Sequence, residues 1–141
     1  MSEPTASTTT PLLSIVVPCF NEQDVLPLFR ERLSSALESL GMQWEAILID
    51  DGSSDGTLAA LERIHREDAR FRVISFSRNF GHQIAVAAGL AHASGDVVAV
   101  MDADLQDPPE ILRECLNRWR EGYEVVYAVR RKRKEGLFKR A

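Results

Sequence analysis

Several absences narrow the field for this 141-residue chain. It has no apolar run near the ~20 residues that a membrane-crossing helix requires, so no segment reads as a span. The opening stretch, MSEPTASTTT, has neither the basic end nor the apolar centre of a secretory signal. Cysteine is scarce. Cys19 and Cys115 lie far apart, each in an apolar stretch, which suits buried free thiols in a reducing compartment and excludes a disulfide scaffold. No G-x-G-x-x-G follows the first apolar run, which argues against a dinucleotide oxidoreductase. There is no internal repeat.

What remains is ordinary for a folded domain: 45% hydrophobic and 27% charged residues, which excludes disorder throughout and fibrous architecture. A chain of this size buries roughly two thirds of its unfolded surface, enough for a core without staples. The net charge of −4 conceals an asymmetry. Residues 130–141 hold seven basic groups against Glu135 alone, a local charge of +6, which leaves −10 on the other 129 residues. An acidic body with a basic tail is a poor nucleic-acid binder, so no nucleic-acid partner is expected.

The apolar pattern divides the chain into a disordered leader (1–11), one domain (12–129) and a basic segment (130–141). Strands are expected at about Leu13 to Pro18, Trp44 to Ile49, Arg72 to Phe76, Val97 to Met101 and Glu124 to Val129. Between them fall helical patterns. Asn21 could cap the first, which carries Val25, Leu28, Phe29, Leu33, Ala36 and Leu40 and stops at Gly41. Asp55 or Thr57 opens the second, with Leu58, Leu61 and Ile64 inward. An Ala-rich third covers about His82 to His92. Pro108 and Pro109 suit the start of a fourth, with Ile111, Leu112, Cys115, Leu116 and Trp119 inward. Strands alternating with helical crossovers predict an α/β fold, a doubly wound, mostly parallel sheet with helices on both faces.

Ligands of such sheets bind beyond the carboxyl ends of the strands, and polar groups collect there. The first strand runs into Pro18, Cys19, Phe20, Asn21 and Glu22. The second runs into Asp50-Asp51-Gly52-Ser53-Ser54-Asp55-Gly56, the fourth into Asp102-Ala103-Asp104-Leu105-Gln106-Asp107, and the fifth into Arg130 with Arg133 close behind. Crowded carboxylates repel and call for a cation or positive neighbours. Two aspartates one residue apart can hold a hard divalent ion, Mg²⁺ or Mn²⁺, which also takes phosphate oxygens and neutralises a departing diphosphate. Arginines can grip phosphate in bidentate fashion. Each group also has a bland reading. A lone D-x-D is usually a solvated turn, 50–56 is a good turn and helix cap, Glu22 suits a first helical turn, His82 suits a loop as well as a base, and Arg78 and Asn79 could simply close a loop. Their coincidence at one sheet edge favours group transfer from a nucleotide diphosphate.

SIVVPCFNE (14–22), IDDGSSDGT (49–57), RNFGHQIAVAAGL (78–90), DADLQDPPE (102–110) and VRRKRKEG (129–136) follow in order. Together they resemble the GT-A catalytic domain of family 2 glycosyltransferases. The nearest subgroup is the polyprenyl-phosphate transferases, similar to dolichyl-phosphate mannose synthase and its bacterial undecaprenyl-phosphate relatives. The resemblance implies that Pro18, Phe20, Glu22, Asp51, Asp102 and Ala103 line the nucleotide-sugar site, with Asp51 on the base edge. It implies Asp102, Asp104 and Gln106 on the metal side, and Asp104, Arg130 and Arg133 in catalysis, the arginines on phosphates. The implied reaction is inverting. A lipid phosphate oxygen attacks the anomeric carbon as the nucleotide diphosphate departs, with Mg²⁺ or Mn²⁺ as cofactor. Subgroup members continue past the basic segment into an amphipathic interfacial stretch, which Gly136 to Arg140 begins to resemble, so the chain reads as C-terminally truncated. The full-length protein is expected at the cytoplasmic face of a membrane, its basic segment on anionic headgroups, and the present chain is expected to be soluble. Competing readings are a donor-binding module without turnover, a family 2 transferase with another acceptor such as a polysaccharide, and a phospho-acceptor receiver domain, whose acidic pair should follow the first strand.

Overall fold

The computed structural model describes residues 11–124, and of residues 126–130 and 136–140 the backbone. In chain order the elements are β1 (Leu12–Cys19), α1 (Leu26–Glu38), β2 (Gln43–Asp50), α2 (Thr57–Glu67), β3 (Phe71–Ser75), α3 (His82–His92), β4 (Val97–Val100), a 3-10 turn (Pro109–Ile111), α4 (Leu112–Arg120), β5 (Val126–Arg130) and β6 (Gly136–Arg140). The first four strands form a parallel sheet in the order β3-β2-β1-β4. Strand order reverses between β1 and β4, and the crevice above that switch point is where a sheet of this kind receives its ligand.

Alternation along β1 assigns the two faces. Leu13, Ile15 and Val17 join Phe29 and Leu33 of α1, Leu61 of α2 and Leu116 of α4 in the main core. Val16 joins Ile47 and Ile49 of β2 and Ala85 of α3 on the other side. Helices therefore cover both faces, three against one. The small residues of α3 let it sit close to the sheet: a Cβ built on Gly89 would lie 2.3 Å from Val16 Cγ1.

Three expectations need correcting. The fifth strand does not extend the parallel sheet. β5 pairs antiparallel with β6, Arg130 opposite Gly136, in a separate two-stranded sheet. Gly136 to Arg140, expected as the start of an interfacial stretch, supplies that partner after a gap too short for the dozen or more residues of a parallel crossover. Asn21 does not cap α1; its backbone is left-handed (φ 53°), and Pro27 in the first turn sets a later helix start at Leu26. Gly41 is not the residue that stops α1, which ends at Glu38; Gly41 turns the chain three residues on with φ 67°.

At the amino-terminal edge, the buried Glu45 carboxylate ties three segments together. It accepts from Ser14 Oγ (2.6 Å), the Ser94 N–H (2.7 Å) and Arg72 Nη1 (2.8 Å). Burial pushes its pKa up, but these bonds outweigh burial and hold it below the usual carboxylate value. Neither cysteine forms a disulfide.

Candidate functional site

At the opposite edge, the loops after β1, β2, β3 and β4 enclose an open cleft of about 460 Å³. Pro18 and Cys19 come from the end of β1, Phe20 and Glu22 from the loop after it, Asp51 from the β2 loop, Asn79 and Gly81 from the β3 loop, His82 from the first turn of α3, and Asp102 and Asp104 from the loop after β4. Five of the six residues expected to line a nucleotide-sugar site thus meet in one place.

Two loops are latched to each other below this cleft. The Asn21 N–H donates to Ser53 Oγ (2.9 Å), and Asn21 Oδ1 accepts the Ser54 N–H (2.9 Å). The Glu22 N–H donates to Thr57 Oγ1 (2.8 Å), whose hydroxyl donates to Asp55 Oδ1 (2.5 Å). This fixes Phe20 and Glu22 at the rim, with Phe20 46% exposed.

Asp51 is buried and organises the third loop. Its Oδ1 accepts the Phe80 N–H (2.8 Å), and its Oδ2 accepts the Gly81 N–H and Asn79 Nδ2, both at 3.1 Å. That role was not anticipated. The signal for it was Asn79-Phe80-Gly81 itself, since Gly81 takes φ 106°, which other residues resist.

The loop after β4 forms a tight turn. Leu105 is left-handed (φ 64°), and the Gln106 N–H donates to Asp104 Oδ1 (3.0 Å). The Ala103 side chain lies in the core, so Ala103 can offer a ligand only its backbone. Gln106 is exposed and does not line the cleft. Arg130 ends β5, while Arg133 lies outside the described residues.

The electrostatics are those of an acidic bowl. Burial, and then the charges of Asp104, Asp102 and Asp55, push the Glu22 pKa above the ordinary carboxylate value. Among the described residues His82 is the one lining side chain able to carry positive charge, and its Nε2 lies 3.0 Å from Asp102 Oδ1. Cys19 is no nucleophile, because burial, reinforced by Glu22, Asp50 and Asp102, pushes its pKa far up and keeps it a thiol. Among the described residues no three His, Cys, Asp or Glu side chains stand close enough to hold a metal unaided. Two carboxylates suffice for Mg²⁺ or Mn²⁺ when substrate phosphates and water complete the shell, and the all-oxygen donor pair fits such an ion. A second groove, along β4 and α4 (about 370 Å³), is lined mainly by apolar residues, among them Val98, Val100, Leu116 and Trp119, with Asp107 and Glu124 also in its wall.

A carboxylate-lined cleft at the switch point of a parallel sheet defines the class: an α/β ligand-binding domain. Residues 14–141 match the family model of glycosyl transferase family 2, and the chain belongs to that family. It is 48% identical over 128 residues to a Bacillus subtilis glycosyltransferase, YkcC, covering 90% of this chain and 40% of YkcC. To the undecaprenyl-phosphate 4-deoxy-4-formamido-L-arabinose transferase of Salmonella paratyphi B it is 42% identical over 130 residues, 92% of this chain and 40% of that enzyme. The chain therefore spans about two fifths of the curated relatives it matches. Among solved structures it resembles the Pyrobaculum calidifontis mannosyltransferase PcManGT in complex with GDP-Man and Mn²⁺ (TM-score 0.68, 24% identity, 88% of this chain and 37% of that one). It also resembles Staphylococcus aureus TarS in complex with UDP-GlcNAc (TM-score 0.60, 24% identity, 81% and 32%). These two likenesses establish the fold.

Proposed function

We propose that this chain is the nucleotide-sugar half of an inverting glycosyltransferase whose acceptor is a polyprenyl phosphate. The observation that carries the reading is the convergence of Phe20, Glu22, Asp51, Asp102 and Asp104 on one cleft at the switch point. The acceptor rests on the relative that acts on undecaprenyl phosphate. For the donor, a UDP-sugar is preferred over GDP-mannose. Residues 12–129 form the donor-binding domain, residues 1–11 precede it as a leader, and the basic residues 130–141 face the acceptor phosphate and anionic headgroups at the cytoplasmic face of a membrane. No helix among the described residues is long and apolar enough to cross a bilayer itself.

In this mechanism Phe20 and Pro18 pack against the nucleoside and Asp51 meets the base edge. Asp51 can do so only with lone pairs left over from the loop that it holds. Asp102 and Asp104 would hold Mg²⁺ or Mn²⁺, with Gln106 a further candidate from the same turn. When bound, the cation neutralises charge on the departing diphosphate. Arg130 and Arg133 hold phosphates. The attacking phosphate oxygen is already ionised near neutral pH, so Asp104 is assigned to the metal and not to proton abstraction. Catalysis then rests on alignment and charge stabilisation.

Calorimetric titration with UDP and GDP, with and without Mn²⁺, tests this reading. Metal-dependent binding of one nucleotide, abolished in Asp104→Asn with the fold intact, is expected. Unchanged affinity in that variant removes the metal assignment. Binding without sugar transfer would favour a donor-binding module, which the two-fifths span of the relatives keeps in view.

A further inference from the structure

The His82–Asp102 contact belongs to neither reading of its residues made from the sequence, where His82 stood as a loop histidine or a base. It joins two segments of distinct origin: the first residue of α3 and the turn after β4, twenty residues apart. Both side chains are substantially exposed, at 61% and 44%, so nothing in the core compels them to meet. What brings His82 there is Asp51. By accepting the Phe80 and Gly81 N–H groups, the buried Asp51 carboxylate fixes the backbone on which α3 begins, and with it the Cα of His82.

From this we infer that His82 is a positioning residue for Asp102, holding one carboxylate oxygen through Nε2–H so that the other is presented to the divalent cation. The inference rests on the metal reading above and deepens it. A carboxylate on an exposed turn rotates freely and can swing between one-oxygen and two-oxygen ligation; a donor bonded to Oδ1 removes that freedom before the ion arrives. Mg²⁺ and Mn²⁺ favour near-octahedral shells in which carboxylates contribute single oxygens. A fixed orientation therefore raises affinity by lowering the ordering cost of binding. The donor need only be an N–H at that place. Neutral imidazole with its proton on Nε2 supplies it, and so does imidazolium, so the role does not require a change of protonation state. The arrangement also links the two ends of the donor site. Asp51, at the nucleoside end, sets the position of the histidine that orients Asp102, at the diphosphate end.

The test measures Mn²⁺-dependent binding of UDP and GDP by calorimetry in the whole chain and in His82→Ala, His82→Gln and Asp104→Asn, alongside metal-free nucleotide binding. His82→Ala is expected to weaken metal-dependent binding about 10-fold or more, as loss of a partner behind a metal ligand generally does, and to weaken metal-free binding less. His82→Gln, which keeps an N–H donor at similar reach, is expected to restore affinity to within about three-fold of the parent. Thermal melts should match throughout, since His82 is exposed. A His82→Ala variant that binds like the parent overturns the inference, as does a His82→Gln variant as weak as His82→Ala, because the ring itself would then be what matters. If neither the parent nor Asp104→Asn shows any metal dependence, the metal reading fails and this inference fails with it. That outcome is distinct from a metal-dependent parent with an indifferent His82. Imidazole nitrogen chemical shifts give a readout free of any metal. The proton on Nε2 is expected, and a proton on Nδ1 alone overturns the proposal.

Discussion

Glu45 and Glu22 are the same side chain at opposite edges of one sheet, and their environments have opposite signs. At the amino-terminal edge Glu45 receives a hydroxyl, a backbone N–H and a guanidinium, and its pKa falls below the ordinary value despite burial. At the carboxyl-terminal edge Glu22 faces Asp104 and Asp102, and burial and those charges together push its pKa up. A carboxylate whose partners are all supplied by the protein serves the fold. One left facing its like is a site waiting for positive charge from elsewhere, and strained titrations of this kind gather where function is. The loops of the carboxyl edge must therefore be held by something other than Glu22, Asp102 and Asp104.

What holds them is the buried Asp51 carboxylate together with close backbone contact, and the largest expected effect follows from that contact. Gly52 has φ 71°, and a Cβ built there would lie 2.1 Å from the Arg78 carbonyl carbon and 2.2 Å from the Asn79 nitrogen. Gly52→Ala forces the loops after β2 and β3 apart, at a cost of about 3–5 kcal/mol, and dislodges the segment that Asp51 binds. Urea unfolding measures the stability and nucleotide titration the cleft. A loss under about 1 kcal/mol would mean that the loops yield freely and that backbone contact does not hold this edge.

Next in size is the opposite edge. Glu45→Ala leaves the Ser94 N–H without its acceptor and Arg72 with only the His92 carbonyl, and a loss of about 3 kcal/mol is expected at pH 7. Because the folded pKa is lowered, the ionised form is what stabilises. The contribution is complete above the unfolded value near 4.3 and fades as pH falls through the folded value. The stability gap between the parent and Glu45→Gln should accordingly narrow below about pH 4. A gap that stays constant into acid would mean that Glu45 contributes by packing and not by charge.

How far the sequence discloses this comparison differs between the edges. The parallel strands and helices were legible because β1 and β2 are apolar runs buried on both faces and the helices keep their spacing. The cleft was legible from strand-end chemistry: Phe20, Glu22, Asp51, Asp102 and Asp104 do converge. Three things were not. Asn21 reads as a cap, because its bonds to the 53–55 loop span more than thirty residues and no local pattern encodes them. The loop-holding bonds of Asp51 do not show in the sequence, because its burial depends on a loop whose path the sequence does not specify. The separate pairing of β5 with β6 could not be distinguished from a fifth parallel strand by apolar content alone.

The smallest effect sharpens the comparison most. Glu22→Gln removes one of the facing charges while keeping size and hydrogen-bonding capacity. If the carboxyl edge lacks internal compensation, losing this charge should stabilise the metal-free chain at pH 7. The gain should be less than about 1 kcal/mol, because the group is only partly buried at the rim and is screened. The sign follows from the raised pKa. Between the unfolded and folded values the native state binds more protons than the unfolded one, so stability falls as pH rises through that window and the penalty is complete above it. The advantage of Glu22→Gln should therefore be present at pH 7 and vanish near pH 4, the reverse of the trend that Glu45 sets. Mn²⁺ with nucleotide should also erase it, since an added cation satisfies the charge that Glu22 left unbalanced. Melting curves at the two pH values, with and without Mn²⁺ and nucleotide, measure all of this. A Glu22→Gln variant less stable than its parent at pH 7 without metal would show that these carboxylates are already neutralised by the protein, and that the two edges are alike after all.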